Sequence, residues 1–180
     1  MPRAAREAVQ RAGLDVDALL AALTAAAQAE LSAYYRHTVL AAHSHGLTEA
    51  PVRALLADLR AEARAHFEAL VTRIAELDGP LPPTLPAFAG PEGRGEGAAP
   101  PYGTDEEVLR ELTAVVERAV RAYDELRAAT ERRDPRTHAL AAALLAGERE
   151  HETWIREARG EPVSPRYHPG FRGASPHLAR

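Results

Sequence analysis

Six residues of types that hold metal ions fall at similar depth in four apolar stretches of this chain. They are Glu30 in the first, Glu62 and His66 in the second, Glu117 in the third, and Glu148 and His151 in the fourth. Hard carboxylate oxygens can bridge two cations while each imidazole caps one of them. Glu62 and His66 are four apart and Glu148 and His151 three apart, so each pair shares one face of a helix. A single Glu-x-x-His match carries little weight in a chain with 8 His and abundant Glu. The combination at one level points to a two-metal carboxylate centre. The competing use of such side chains is an ordinary solvated face, with ion pairs to Arg64, Arg118 and Arg149.

Helices must bring these residues together, and the apolar spacing supplies four. The first is expected over 15–45, with Leu19, Leu20, Leu23, Ala27, Leu31, Tyr34, Tyr35 and Val39 at helical spacing and Gly46 as a stop. His43 and His45, at its end, read as capping or exposed. The second, over 48–78, starts at a Thr48 cap and ends at Asp78-Gly79-Pro80. The third, over 104–131, opens on a capping box of Thr104 and Glu107. The fourth, over 134–160, follows the Asp134-Pro135 pair and stops at Gly160. The centres of these helices fall near the six candidates. That is where a bundle is driest, and where unpaired carboxylates would be most costly without cations.

The connections set the topology. A short turn makes the first two helices an antiparallel hairpin, and another does the same for the last two. Between the hairpins, 79–103 is rich in Pro and Gly and shows no helical period, so it reads as a long connection. A helix of about 30 residues is roughly 45 Å long, and a connection of this size can return along it. The expected architecture is all-α: a four-helix bundle over 15–160 with one long crossover, an N-terminal arm over 1–14 and a tail over 161–180.

Composition narrows the chemistry. With no Cys among 180 residues, thiolate ligands and iron-sulfur clusters are excluded, and iron, manganese or zinc suits the donors better than copper(I). Nothing in the motifs indicates haem. A hydrophobic content of 46% with only 5% aromatics fits packed helices. The net charge of -4 leaves no electrostatic footprint for nucleic acid. The run Leu19 to Leu31 lacks a basic flank and a cleavage pattern, and is too short and polar to cross a bilayer. A cytoplasmic protein with no membrane partner is the expectation.

The stretches 29–35, 62–70 and 134–137, with 147–154, resemble the Dps-like branch of the ferritin-like superfamily, which combines a bacterioferritin-type di-iron centre with a Dps-like shell. The resemblance implies a ferritin-like bundle and a homo-oligomer, a dodecameric shell. It implies a protein that binds ferrous iron, oxidises it with hydrogen peroxide or oxygen, and stores the ferric product against oxidative stress. In that scheme Glu30 and His66 serve one iron, Glu117 and His151 the other, and Glu62 and Glu148 bridge.

Three features depart from the family. The cysteine pair that members often carry beside the centre is missing, which removes thiol-assisted chemistry. Ala63 stands where an acidic residue is common. On the third helix the stripe Leu112, Val116, Ala119, Tyr123 turns Val116 inward, with Glu117 rotated from it by about 100°. Glu117 is nonetheless the expected ligand from that helix. Two further readings remain open: a di-manganese site with catalase-like turnover, and a structural or DNA-associating stress protein with a degenerate metal site.

Overall fold

The computed structural model of the chain describes residues 2–43, 50–89 and 104–162. Six helices run in the order α1 (Pro2–Arg11), α2 (Val16–His43), α3 (Ala50–Glu76), α4 (Leu85–Ala89), α5 (Asp105–Thr130) and α6 (Pro135–Ala158), and no strand occurs among the described residues. The four long helices match the four expected from the sequence. Gly46, the Thr48 cap, the His43 side chain, His45, the stretch 90–103 and the tail beyond 162 lie outside the described residues.

The ends of these helices follow their local chemistry. Thr104 and Glu107 form the reciprocal capping box, with the Glu107 N–H donating to Thr104 Oγ1 at 3.3 Å and the Thr104 N–H to Glu107 Oε2 at 3.2 Å. Asp134 caps α6 and Pro135 fills its first turn. Gly13, at φ 80°, ends α1 in the left-handed conformation that a residue without Cβ adopts without strain. The arm is therefore helical through Arg11, and its Val9 is buried in the core.

Packing fixes helix direction. One apolar cluster joins Leu55, Leu56 and Leu59 of α3 to Leu109, Leu112 and Val116 of α5, and another joins Leu70, Ile74 and Leu77 to Tyr123 and Leu126. Residue numbers rise together along the two helices, so α3 and α5 run parallel and their connection must span the bundle. Each of these helices packs closely on its hairpin partner, α2 with α3 and α5 with α6. The two hairpins with one long crossover make a ferritin-like four-helix bundle.

Three expectations need correction. The connection after α3 contains the short helix α4, whose Phe88 is buried and meets Phe67 edge-on at 5.8 Å, while Gln28 donates to the Phe88 carbonyl. A single turn is too short to register as a helical period. Tyr35, placed in the apolar stripe of the first helix, is 69% exposed. Lastly, α2 as a whole is long and apolar enough, over Val16–Ala42, to cross a bilayer by length and composition alone. Its inward face, with Leu23, Ala27, Glu30 and Ala33, is instead buried within the bundle.

A polar clamp ties the end of α3 to the start of α6. Arg73 donates from Nη2 to Asp134 Oδ2 at 2.8 Å, from Nε to Thr137 Oγ1 at 2.7 Å, and from Nη1 to Glu76 Oε2 at 2.9 Å, with Arg73 and Asp134 both buried. Burial alone would raise the Asp134 carboxyl, but hydrogen bonds from Thr137 and Arg73 outweigh it and hold the group below its ordinary value. Its contribution is thus present above the unfolded value and lost as pH falls through the folded one. Asp134→Asn keeps a competent helix cap but leaves the Arg73 guanidinium without its carboxylate, at a cost of about 3 kcal/mol near neutrality. Urea unfolding at pH 7 and pH 3 checks this: the gap between variant and wild type should shrink in acid.

Candidate metal centre

Two buried triads meet in the middle of the bundle. Glu30 of α2, His66 of α3 and Glu148 of α6 form one, and Asp58 and Glu62 of α3 with His151 of α6 form the other. In the first, His66 Nδ1 lies 3.4 Å from Glu30 Oε1 and 3.3 Å from Glu148 Oε1. In the second, His151 Nε2 lies 3.3 Å from Asp58 Oδ2 and 3.2 Å from Glu62 Oε2. Two carboxylates reach across. Glu62 Oε2 is also 3.9 Å from His66 Nε2, and Glu148 Oε2 is 3.7 Å from His151 Nδ1.

Helical geometry explains the convergence. Asp58, Glu62 and His66 stand at successive turns of α3 and so form one row, while Glu148 and His151 share a face of α6. Tyr123 of α5, 1% exposed, donates its hydroxyl hydrogen bond to Glu30 Oε1, and its ring meets His66 edge-on at 6.1 Å. The Tyr123 hydroxyl thereby orients the Glu30 carboxylate.

The charges within this dry volume are strongly perturbed. Burial raises Glu30, and raises Glu62 to about 7 despite the opposing pull of His151 and His66. Burial also works against ionised Glu148, but its attraction to the His151 and His66 rings wins and brings that carboxyl down to about 2. Burial would lower both imidazoles; bonds to Glu148 and Glu30 carry His66 up to about 10 instead. Asp58 and Glu148 carry His151 up to about 9. Protons on the imidazoles therefore stand where cations could.

Several polar atoms here remain unbonded: Asp58 Oδ1, both carboxylate oxygens of Glu62 and His151 Nδ1 have no hydrogen-bond partner among the described residues. Buried polar atoms are seldom left this way. Four carboxylates and two imidazoles suit two divalent ions, whose charge cancels that of the carboxylates and releases the imidazole protons. The donor set of oxygen and nitrogen fits iron or manganese. A cavity of about 870 Å³ between α2 and α5, walled by alanines such as Ala22, Ala26 and Ala122, reaches Glu30 and Glu148.

Of the six residues expected from the sequence, Glu30, Glu62, His66, Glu148 and His151 converge. Glu117 does not. It is exposed on α5, while its neighbour Val116 is 1% exposed and packs in the core. The rotation of 100° per residue decides between them, since turning Glu117 inward would expel Val116. Asp58, 5% exposed, occupies the corresponding place beside His151 from another helix. The sequence signal for it was the row Asp58, Glu62, His66 at spacings of four. Tyr123 was legible only as core.

Comparisons with known proteins agree with this architecture. The ferritin-like domain family matches residues 20–161. A relative from Pyrococcus furiosus named DNA protection during starvation protein is 39% identical over 180 residues, covering 100% of this chain and 97% of its own. Among solved structures, the bacterioferritin-related protein of Bacteroides fragilis, described as a dodecameric thioferritin, superposes with a TM-score of 0.76. It shares 26% identity over 88% of this chain and 93% of its own. Match, fold and buried carboxylate-histidine core together place this chain in the ferritin-like domain family.

Proposed function

We propose that this protein is a di-iron ferroxidase and iron store that oxidises Fe(II) with hydrogen peroxide or oxygen, and so limits oxidative stress. One observation carries the reading: two buried triads adjoin at the bundle centre, where Glu62 approaches His66 of the other triad at 3.9 Å and Glu148 approaches His151 at 3.7 Å. Glu30 and His66 hold one substrate ion, Asp58 and His151 the other, and the two shared carboxylates bridge them.

The reaction balances simply. Two ferrous ions give one electron each to a peroxide, its O–O bond breaks, and both oxygens leave as water after taking up two protons. Paired ions make this a two-electron event with no free radical. The residues fix the spacing of the ions and supply a dry, shaped site.

The proposed assembly is a homo-oligomer, a dodecameric shell whose cavity would store the ferric product, and likeness to the dodecameric Bacteroides fragilis protein supports it. The compartment we propose is the cytoplasm. Nucleic acid is not among the proposed partners, since the net charge is -4. Anaerobic loading with Fe(II), followed by peroxide, tests the reading. The expected result is two bound ions per chain and about two Fe(II) consumed per peroxide. Peroxide disproportionation by the manganese-loaded protein without iron uptake would overturn it, as would a chain that binds no metal at the bundle centre.

A further inference from the structure

The cavity of about 870 Å³ between α2 and α5 does not meet the two halves of the centre alike. Glu30, Tyr123 and Glu148 line it, whereas Asp58, Glu62, His66 and His151 do not. Two of the three groups of the first triad therefore face open space, and none of the second. The wall is exposed at Ala22, Ala25, Ala29 and Ala122, while Glu30, Tyr123 and Glu148 are buried at its inner end. Protein interiors are close-packed, so a space of this size leading from the surface to buried carboxylates is a feature of the fold. Alanines at successive turns of α2 create it, since larger side chains there would fill the seam.

Tyr123 stands at the floor of this space. It is 1% exposed, its hydroxyl donates to Glu30 Oε1, and its ring meets His66 edge-on at 6.1 Å. Hydrogen bonds to an ionised carboxylate are stronger than neutral ones. With Oε1 held by the phenol, and His66 Nδ1 3.4 Å from the same oxygen, the Glu30 carboxylate has one preferred rotation. A carboxylate free to turn can grip an ion with both oxygens. The second oxygen would then occupy a coordination position that an oxidant needs.

We propose that peroxide or dioxygen meets the centre at the ion held by Glu30 and His66, from the side of this cavity. Tyr123 is the positioning residue that holds Glu30 to one oxygen and keeps that coordination position open. The cavity does not extend to Asp58 or His151, so the second ion sits behind the first.

This inference rests on the proposed metal centre, and the test separates the two. Cobalt(II) replaces Fe(II) under anaerobic conditions. Azide, a small anion that needs an open coordination position, is titrated into the loaded protein and followed by visible absorption. Asp58→Ala supplies a form that holds the first ion alone. The expected result is one azide per chain, bound equally well by wild type and by Asp58→Ala. Ala26→Leu fills the cavity wall, and Ala122→Leu does so at an exposed position that leaves the core undisturbed. Both should take up two ions as wild type does and bind azide about tenfold more weakly. Tyr123→Phe should weaken the first ion by about 10- to 100-fold and spare the second. At saturating cobalt its first-equivalent spectrum should be altered and its azide affinity reduced, which a purely structural role for Tyr123 would not produce. Azide that binds only when the second ion is present overturns the assignment to the first. If wild type takes up two ions but no azide, or if all these variants match it, the inference fails alone. If wild type takes up no ion, the metal centre itself is refuted, and this inference with it.

Discussion

Glu62→Ala is expected to abolish tight binding of both ions at once, because its carboxylate lies within 3.2 Å of His151 Nε2 and 3.9 Å of His66 Nε2 and belongs to both halves of the centre. Each half would be left with one carboxylate fewer, and no other carboxylate of α3 lies between Asp58 and His66. Loss of a supporting residue around a metal typically costs 10- to 100-fold in affinity, so a shared ligand should cost about 100-fold or more at each site. The rate of iron oxidation should fall by roughly the same factor, since both ions must be present together.

Unfolding does not explain that loss. Glu62 is 1% exposed and its carboxyl is raised to about 7, mainly by burial. A carboxyl whose folded value exceeds its unfolded one weakens the metal-free fold as pH rises between 4.5 and about 7. Removing it deletes that penalty and leaves a small cavity, and the His151 imidazolium, which a lost sole partner would leave uncompensated, still has Asp58 and Glu148 beside it. The metal-free variant should therefore melt within a few degrees of wild type at pH 8. Anaerobic calorimetry with Fe(II) and thermal melting of the metal-free protein measure both effects. A variant that keeps one ion at wild-type affinity would show that Glu62 serves a single site.

Asp58→Ala and Glu117→Ala should part company equally clearly. Asp58 is buried, with Oδ2 3.3 Å from His151 Nε2 and Oδ1 unbonded, so its loss should weaken the second ion by about 10- to 100-fold while sparing the first. Binding then falls from two ions per chain to one at micromolar metal. Glu117 is exposed on α5, and its truncation should leave both ions and the oxidation rate unchanged. Stoichiometry by titration decides the pair. A silent Asp58→Ala together with a damaging Glu117→Ala would reverse the assignment of the second ion's ligand.

That contrast marks where sequence reasoning succeeds and where it stops. Helix positions were legible because Leu and Ala recur at helical spacing and caps such as Thr104 and Asp134 announce the starts. Convergence of Glu30, Glu62, His66, Glu148 and His151 followed from their equal depth in three of the four helices. Equal depth, however, is a one-dimensional measure, and rotation about each helix axis is the second coordinate. Val116 already stood in the apolar stripe, so the same periodicity that located α5 argued against Glu117.

Asp58 was hidden for a related reason. It lies more than one turn from mid-height, where depth alone gives no prompt, yet it continues the inward row of its helix. Contacts between helices distant in sequence, such as Tyr123 with Glu30 or Arg73 with Asp134, follow from the packed bundle and not from any local pattern. The turn of α4 is legible only through the burial of Phe88 against Phe67.

Anomalous diffraction from crystals loaded anaerobically with Fe(II) tests the paired centre most directly. The account predicts two peaks about 3.5–4 Å apart, one beside Glu30 and His66 and one beside Asp58 and His151, with Glu62 and Glu148 between them. A single peak, peaks confined to the surface, or an iron bound at Glu117 would contradict it.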